Sequence, residues 1–240
     1  MKQIDEIITR VRNFVFLGEA GSGKSEVAVN LAFYLLQKGT LPVHFFDLDM
    51  TKPLFRSRDL CQEMEEAGIC FHYEEQFYDA PTMVGGVQKL LKEDCYTILD
   101  VGGDHIGARS LGAYAPLLKQ EDCRVYYVLN AYRPWNRDIT TIDTTLGLIL
   151  GVSHLEVQKL HLIDNSHLGP DTTLEENLSG YRKNEEAVSP YLPLDFGCVR
   201  EELAEAVQEA SGREPFSLKL RLNYPWNISE SGKGEEKCPK

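Results

Sequence analysis

Short, almost continuously apolar runs alternate along the chain with longer segments in which apolar residues recur every three or four positions. The short runs predict buried strands over residues 13–17, 41–48, 69–73, 96–101, 124–129 and 160–163. The helical spacing predicts helices over residues 1–12, 26–38, 81–92, 108–119, 139–150, 172–187 and 199–210. We expect the helix over 108–119 to be interrupted or kinked at Pro116, and residues 53–68 to be irregular and then helical. Because strands and helices alternate, the pattern predicts an α/β fold with a doubly wound, mainly parallel sheet flanked by helices.

Composition and charge narrow the class of protein. The chain has 240 residues, a hydrophobic fraction of 42% and a formal net charge of -12. We expect residues 1–226 to form one domain, and residues 227–240, which lack apolar periodicity, to be a disordered tail. The negative charge argues against binding nucleic acid or an anionic membrane, since both need clustered Lys and Arg. No apolar run approaches the ~20 residues of a membrane span. The cysteines form no C-x-x-C pair, and we expect the protein to be located in the reducing cytoplasm.

The chain contains one complete phosphate-binding motif. Residues 18–25 read G-E-A-G-S-G-K-S, the P-loop pattern G-x-x-x-x-G-K-S, between a predicted strand and a predicted helix. In this context the glycine backbone wraps a phosphate chain, Lys24 reaches the β- and γ-phosphates, and the Ser25 hydroxyl ligates Mg²⁺. The nucleotide-binding residues predicted here are Gly18, Glu19, Ala20, Gly21, Ser22, Gly23, Lys24, Ser25 and Glu26.

Carboxylates lie at the ends of two predicted strands. Asp47 and Asp49 end the second predicted strand and, one residue apart on an extended chain, point the same way. Asp100 lies at the end of the fourth predicted strand and is followed, after Val101, by Gly102 and Gly103. An apolar strand that ends in Asp is the Walker B pattern. Function collects at the carboxyl ends of parallel strands, so we expect Asp47 and Asp100 to support Mg²⁺ and Asp49 to position the attacking water.

An amide side chain is expected to read the nucleotide base, because it donates and accepts hydrogen bonds together, as the adenine Watson–Crick edge requires. Asn165 follows the last predicted strand, and Asn130, after the strand before it, is a rival for the same role. Neither strand ends in N-K-x-D, so a guanine preference is not supported, and the predicted cofactors are ATP and Mg²⁺. His154, His161 and His167 have a spacing that fits no metal-ligand pattern, so we expect them to have ordinary surface or core roles.

These motifs together resemble the MinD/ParA-type ATPases of the SIMIBI class of P-loop proteins. The resemblance spans residues 13–194 and points to a lesser-known bacterial branch. It implies ATP binding, Mg²⁺, slow hydrolysis, and an ATP-dependent homodimer that acts as a switch on a protein partner. The matching residues are the P-loop at 18–25, Asn30-Leu31-Ala32, Asp47-Leu48-Asp49, Asp100 with Gly102-Gly103, and Asn165.

The chain departs from that family at Glu19, where many members carry a second lysine that reaches the partner's phosphates across the dimer. A carboxylate would repel phosphate there. We therefore expect Arg133 or Arg137 to reach across instead, or a dimer that does not share its active sites. Two other functions stay open on the same core: a small-molecule kinase or ATP-dependent ligase, and a nucleotide-binding module of low turnover.

Overall fold

The fold is built on one parallel β-sheet. The computed structural model describes residues 2–49, 57–73 and 84–222. Within them the strands are β1 Asn13–Leu17, β2 Val43–Leu48, β3 Cys70–His72, β4 Tyr96–Val101, β5 Cys123–Leu129, β6 Leu160–Asp164, β7 Leu194–Arg200 and β8 Phe216–Leu218. They lie in the order β3-β2-β4-β1-β5-β6-β7-β8, and every neighbouring pair is parallel.

Helices connect the strands. The α-helices are α1 Lys2–Ile8, α2 Lys24–Lys38, α3 Cys61–Ala67, α4 Val87–Leu90, α5 His105–Ala108, α6 Ala115–Leu118, α7 Ile139–Ser153, α8 Leu174–Val188 and α9 Ala204–Ser211. Short 3₁₀-helices cover Ser57–Leu60, Arg109–Ala113, Pro134–Asn136, Val157–Lys159 and Glu201–Leu203. In the part of the chain that the structure describes, no helix combines the length and the apolar character needed to cross a membrane.

The core forms two layers, one on each face of the sheet. In β1, Phe14 and Phe16 pack into the layer that contains α1 and α2, whereas Val15 and Leu17 pack into the layer that contains α7. A strand covered on both faces needs apolar residues at every position, which is why β1 reads as a continuous apolar run. The two layers hold the central strands rigidly, and the carboxyl ends of these strands carry the polar residues.

The strand order brings those polar residues to one edge. The P-loop leaves β1, and β1 lies between β4 and β5, so Asp100 on β4 and Asn130 after β5 flank it. Asp47 on β2 pairs in register with Asp100, and Asn165 follows β6 directly. Parallel strands with helices between them place ligand sites at such an edge.

Several predicted elements differ from the observed ones. Strands β7 and β8 were not predicted, because Asp195 and Gly197 interrupt the apolar pattern of β7 and β8 is only three residues long. The helix predicted over 199–210 is wrong at its start, since residues 199–200 belong to β7. The helix predicted over 108–119 is divided among α5, a 3₁₀-helix and α6, with Pro116 in the first turn of α6. Residues 53–56, 81–83 and 227–240 lie outside the described part of the chain.

Candidate functional site

The loop between β1 and α2 has the backbone geometry of a phosphate cradle. Gly18, Gly21 and Gly23 have φ angles of 146°, 80° and 77°, in the region that favours glycine. A Cβ atom on Gly18 would also lie 2.7 Å from the carbonyl oxygen of Val128. Helix α2 begins at Lys24, so its amino-terminal N–H groups face the loop and favour an anion there.

Lys24 and Asp49 form a buried ion pair beside this loop. The Lys24 Nζ lies 3.3 Å from the Asp49 Oδ2, and the two side chains are only 1% and 4% exposed. The structure thus brings together the lysine predicted to reach the phosphates and the carboxylate predicted to position the attacking water. A triphosphate entering the loop would compete with Asp49 for the Lys24 ammonium group.

Asp47 and Asp100 lie side by side on neighbouring strands but have different partners. Asp47 accepts hydrogen bonds from the backbone N–H of Asp49 at 3.0 Å and from Arg58 Nε at 2.8 Å. Burial raises the pKa of Asp47, and the Arg58 hydrogen bond opposes that rise. Both Asp47 oxygens are therefore already engaged by protein groups.

Asp100 keeps one oxygen available. Its Oδ2 accepts a hydrogen bond from Ser57 Oγ at 3.0 Å, whereas its Oδ1 is buried and has no hydrogen-bond partner in the described structure. Among the described residues, no group of three or more His, Cys, Asp or Glu is arranged to hold a metal ion directly. The donor set nevertheless fits Mg²⁺, which takes one or two protein oxygens together with water and substrate phosphate.

A cavity of about 210 Å³ opens beside the P-loop. Its lining is mostly apolar and includes Leu168, Val199, Leu203, Leu218, Leu220 and Leu222. Gly21, Gly23 and Ser25 of the P-loop border it on one side, and Asn165 borders it on another. Apolar walls with a few polar groups are typical of a site for a small molecule.

The side chain of Glu26 holds the chain segment that follows β8. Its Oε1 accepts a hydrogen bond from the backbone N–H of Arg221 at 2.8 Å, and its Oε2 accepts one from Leu222 at 3.1 Å. Burial raises the pKa of this carboxyl group, while the two backbone hydrogen bonds act against that rise. The Glu26 side chain therefore anchors the segment after β8 against α2, and this segment closes one side of the cavity. Only the backbone of Glu26 remains available to bind nucleotide.

The two asparagines have distinct environments. Asn130 is fully buried: its Nδ2 donates to the carbonyl oxygens of Gly21 and His167, and its Oδ1 accepts from the N–H groups of Tyr132 and His167. It braces the P-loop and is not among the residues lining the cavity. Asn165 lines the cavity, and its Nδ2 donates to the Ser22 carbonyl oxygen at 2.8 Å.

His167 is a site residue that the sequence analysis missed. Its Nε2 is buried without a hydrogen-bond partner in the described structure and lies 3.0 Å from where a Cβ on Gly23 would be. Burial, helped by the positive charge of Arg133, lowers the pKa of His167 to about 4. The ring is therefore neutral at physiological pH and faces both P-loop and cavity. The one available signal was its position two residues after Asn165.

The structure also shows the surroundings of Glu19 and of Arg133 and Arg137, the two arginines predicted to reach across a dimer. Glu19 is half-buried, and burial raises its pKa, with the charge of Asp104 acting in the same direction. Arg133 donates from Nε to the Gly21 carbonyl oxygen at 3.0 Å. Arg137 is 79% exposed and pairs with Asp138. Only Arg133 therefore contacts the P-loop.

No family model matches the sequence, and no curated protein matches it. Solved structures with a similar fold include the 54 kDa signal recognition particle protein of Aeropyrum pernix in complex with GDP, at 18% identity and a TM-score of 0.50, covering 78% of this chain and 41% of that one. Chloroplast FtsY from Physcomitrella patens is 16% identical, with a TM-score of 0.51 and coverage of 82% and 65%. The receptor FtsY from Elizabethkingia anophelis in complex with GDP is 13% identical, with a TM-score of 0.50 and coverage of 82% and 64%.

At this identity the likeness establishes the fold, which is that of P-loop NTPases, and confirms the fold class predicted from the sequence. The chain spans less than two thirds of the length of each of these three structures. The MinD/ParA branch within the SIMIBI class stays a prediction. GDP is bound in two of those proteins. Which base this chain prefers depends on the residues that line its own cavity.

Proposed function

We propose that the protein binds ATP with Mg²⁺ and hydrolyses it slowly, as a conformational switch that acts on a protein partner. The observation that carries this proposal is the apolar cavity beside the P-loop. A phosphate cradle, a cavity of the right kind for a base, and the amide of Asn165 at their junction form one continuous site. The cradle fits a triphosphate because only glycine backbone occupies its tightest turns.

The residues that line the cavity support the proposed preference for adenine over guanine. Guanine presents N–H donors on its Watson–Crick edge, and a carboxylate is the side chain that reads such donors best. Among the described residues that line the cavity, Glu26 supplies the one carboxylate, and backbone N–H groups already occupy it. Leu168, three residues after Asn165, stands where N-K-x-D carries its aspartate. Guanine would therefore leave donors unpaired, which costs binding free energy.

Hydrolysis is assigned to the carboxylates at the ends of β2 and β4. In the proposed reaction a water attacks the γ-phosphorus and the β–γ phosphoanhydride bond breaks, giving ADP and phosphate. Once phosphate oxygens attract the Lys24 ammonium group, the Asp49 carboxylate is released to orient that water and accept its proton. Ser25 and Asp100 would hold Mg²⁺, which neutralises charge on the β- and γ-phosphates.

The switch is proposed to act through Arg58. This residue joins Asp47 through its side chain and also donates from Nη2 to the Asp49 carbonyl oxygen at 2.7 Å. It lies in the 3₁₀-helix Ser57–Leu60, so any movement of Asp47 or Asp49 on nucleotide binding is transmitted to that segment. A partner that contacts the segment would then distinguish the ATP state from the ADP state.

The proposal includes a homodimer. The apolar side chains of Ile106 and Trp135 are 57% and 44% exposed, and each lies a few residues from a group that touches the P-loop, Gly103 and Arg133 respectively. Exposed apolar groups beside the nucleotide are suited to an interface that forms when nucleotide binds. Light scattering with and without MgATP tests this; a monomer in both states at micromolar concentration would exclude the dimer.

Steady-state phosphate release tests the proposed activity. We expect release from ATP, with a kcat/KM well above that for GTP, and loss of release in Lys24→Ala. Lys89→Ala, at an exposed position in α4, is the matched control and is expected to behave like the wild type. Formation of ADP only when a small-molecule acceptor is added, with the phosphoryl group on the acceptor and no release of inorganic phosphate, would instead favour a kinase.

A further inference from the structure

Two side-chain donors converge on one carbonyl oxygen of the P-loop. The Gly21 oxygen accepts hydrogen bonds from Asn130 Nδ2 at 3.1 Å and from Arg133 Nε at 3.0 Å. Gly21 has a φ of 80°, and a Cβ placed on it would lie 2.7 Å from Arg133 Nε. Glycine at this position therefore allows the guanidinium group to lie directly against the loop.

The backbone that carries Arg133 is held in place. The Arg133 N–H donates to the Asn130 carbonyl oxygen, and the Asn136 N–H donates to the Arg133 carbonyl oxygen, both at 3.0 Å. The Asn136 side chain in turn accepts from the Asn130 N–H at 2.9 Å. The turn after β5 is thus tied to itself and to the P-loop, which fixes the position of the arginine relative to the loop.

The charge balance at the loop leaves Arg133 as a cation without a carboxylate partner. Lys24 pairs with Asp49, and Arg58 pairs with Asp47. Within the described residues, no carboxylate lies within ion-pair distance of Arg133, and its side chain makes one hydrogen bond, from Nε to the Gly21 oxygen. Arg133 also lines the cavity, so its side chain lies where the phosphate cradle and the cavity meet. A guanidinium fork can hold a carbonyl oxygen with one nitrogen and phosphate oxygens with the others.

We infer that Arg133 binds the phosphate chain of the nucleotide held by its own subunit, and so supplies in cis the second positive charge that Glu19 cannot supply. The inference rests on the proposed function, because it assigns a role within the same site. It replaces the expectation that Arg133 reaches across a dimer: a side chain whose Nε is bonded to its own Gly21 is not extended toward a partner. Arg137, which is exposed and paired with Asp138, does not contact the loop.

Three substitutions separate binding of phosphate from bracing of the loop. Arg133→Ala removes both, Arg133→Gln keeps an N–H donor for the Gly21 oxygen but no charge, and Arg133→Lys keeps the charge but not the fork. Calorimetry with MgATP should show affinity about 10- to 100-fold lower in the alanine and glutamine variants and largely recovered in the lysine variant. Arg137→Ala is the matched control and should bind like the wild type. Recovery by glutamine rather than lysine, or wild-type affinity in Arg133→Ala, would overturn the inference.

A mixing experiment tests whether the residue acts within one subunit. Equal amounts of Arg133→Ala and Lys24→Ala are combined, and phosphate release is measured. An arginine acting in trans would restore activity in mixed dimers, which contradicts the inference, whereas an arginine acting in cis leaves the mixture no more active than the two variants separately. Failure of the proposed function is distinguishable, because it appears as absence of ATP binding in the wild type.

Discussion

The Nδ2 of Asn165 donates a hydrogen bond to the carbonyl oxygen of Ser22 at 2.8 Å, across a separation of 143 residues in the chain. This bond joins the end of β6 to the middle of the P-loop. The group proposed to face the base and the loop proposed to hold the phosphates are therefore fixed relative to each other. A nucleotide is long enough to reach both groups at once, whereas inorganic phosphate is not.

Asn165 and Asn130 should respond differently to substitution. Asn165→Ala removes a polar group that lines the cavity together with its one hydrogen bond to Ser22, so we expect ATP affinity to fall about tenfold and the free energy of unfolding to fall by only about 1 kcal/mol. Asn130→Ala removes four hydrogen bonds at a fully buried position, so we expect the free energy of unfolding to fall by about 2–4 kcal/mol. Calorimetric titration and urea denaturation measure the two effects; equal loss of stability in both variants would refute the distinction.

Asp49 should matter for turnover and not for binding. In Asp49→Asn the group that orients and deprotonates water is lost, so we expect phosphate release to fall by roughly 10²–10⁴-fold. ATP should remain bound, because the amide no longer competes as an anion for Lys24. A variant that hydrolyses ATP at the wild-type rate would show that Asp49 has been assigned the wrong role.

Asp100 should determine the dependence on Mg²⁺. Asp100→Asn removes the charge of the carboxylate with an unpartnered buried oxygen, so the Mg²⁺ concentration needed for half-maximal ATP binding should rise. Asp47→Asn serves as the comparison. Because Arg58 binds the Asp47 carboxylate, this substitution should affect the 3₁₀-helix Ser57–Leu60 more than it affects Mg²⁺ binding. Titrating Mg²⁺ at fixed ATP measures both, and an unchanged midpoint in Asp100→Asn would contradict the assignment.

Asp164 should give the fold a distinctive pH dependence. It is fully buried, accepts hydrogen bonds from Ser166 Oγ and Asn184 Nδ2, and burial raises its pKa to about 6. At a pH between 3.8, the pKa of this carboxyl group in the unfolded chain, and about 6, its pKa in the folded protein, Asp164 is protonated in the folded state and ionised in the unfolded state. Raising the pH through that window therefore removes stability, on the order of 3 kcal/mol when complete.

The test compares wild type with Asp164→Asn, which stays neutral at every pH. The stability of the wild type relative to this variant should decrease from pH 4 to pH 7, as followed by urea denaturation at each pH. Asp143→Asn, at an exposed position in α7, is the control. A constant difference between wild type and Asp164→Asn over this range would show that the buried carboxyl group is not protonated as described.

Strands and motifs were predictable where they depend on local sequence. Strands β1 and β4 have the predicted bounds because burial on both faces demands unbroken apolar runs. Strand β7 was missed because Asp195, paired with Arg124, puts a charge inside it. The roles of Glu26 and His167 depend on Arg221 and Gly23, which are distant along the chain, and no local pattern reports such contacts. The choice between Asn130 and Asn165 likewise required knowing which of them lines the cavity.

A calorimetric titration of the wild-type protein with MgATP and, separately, MgGTP tests the central claim most directly. We expect saturable binding of one ATP per chain, at least about tenfold tighter than GTP, because the described cavity lining offers no available carboxylate for guanine. Tighter binding of GTP, or no binding of either nucleotide, would contradict it.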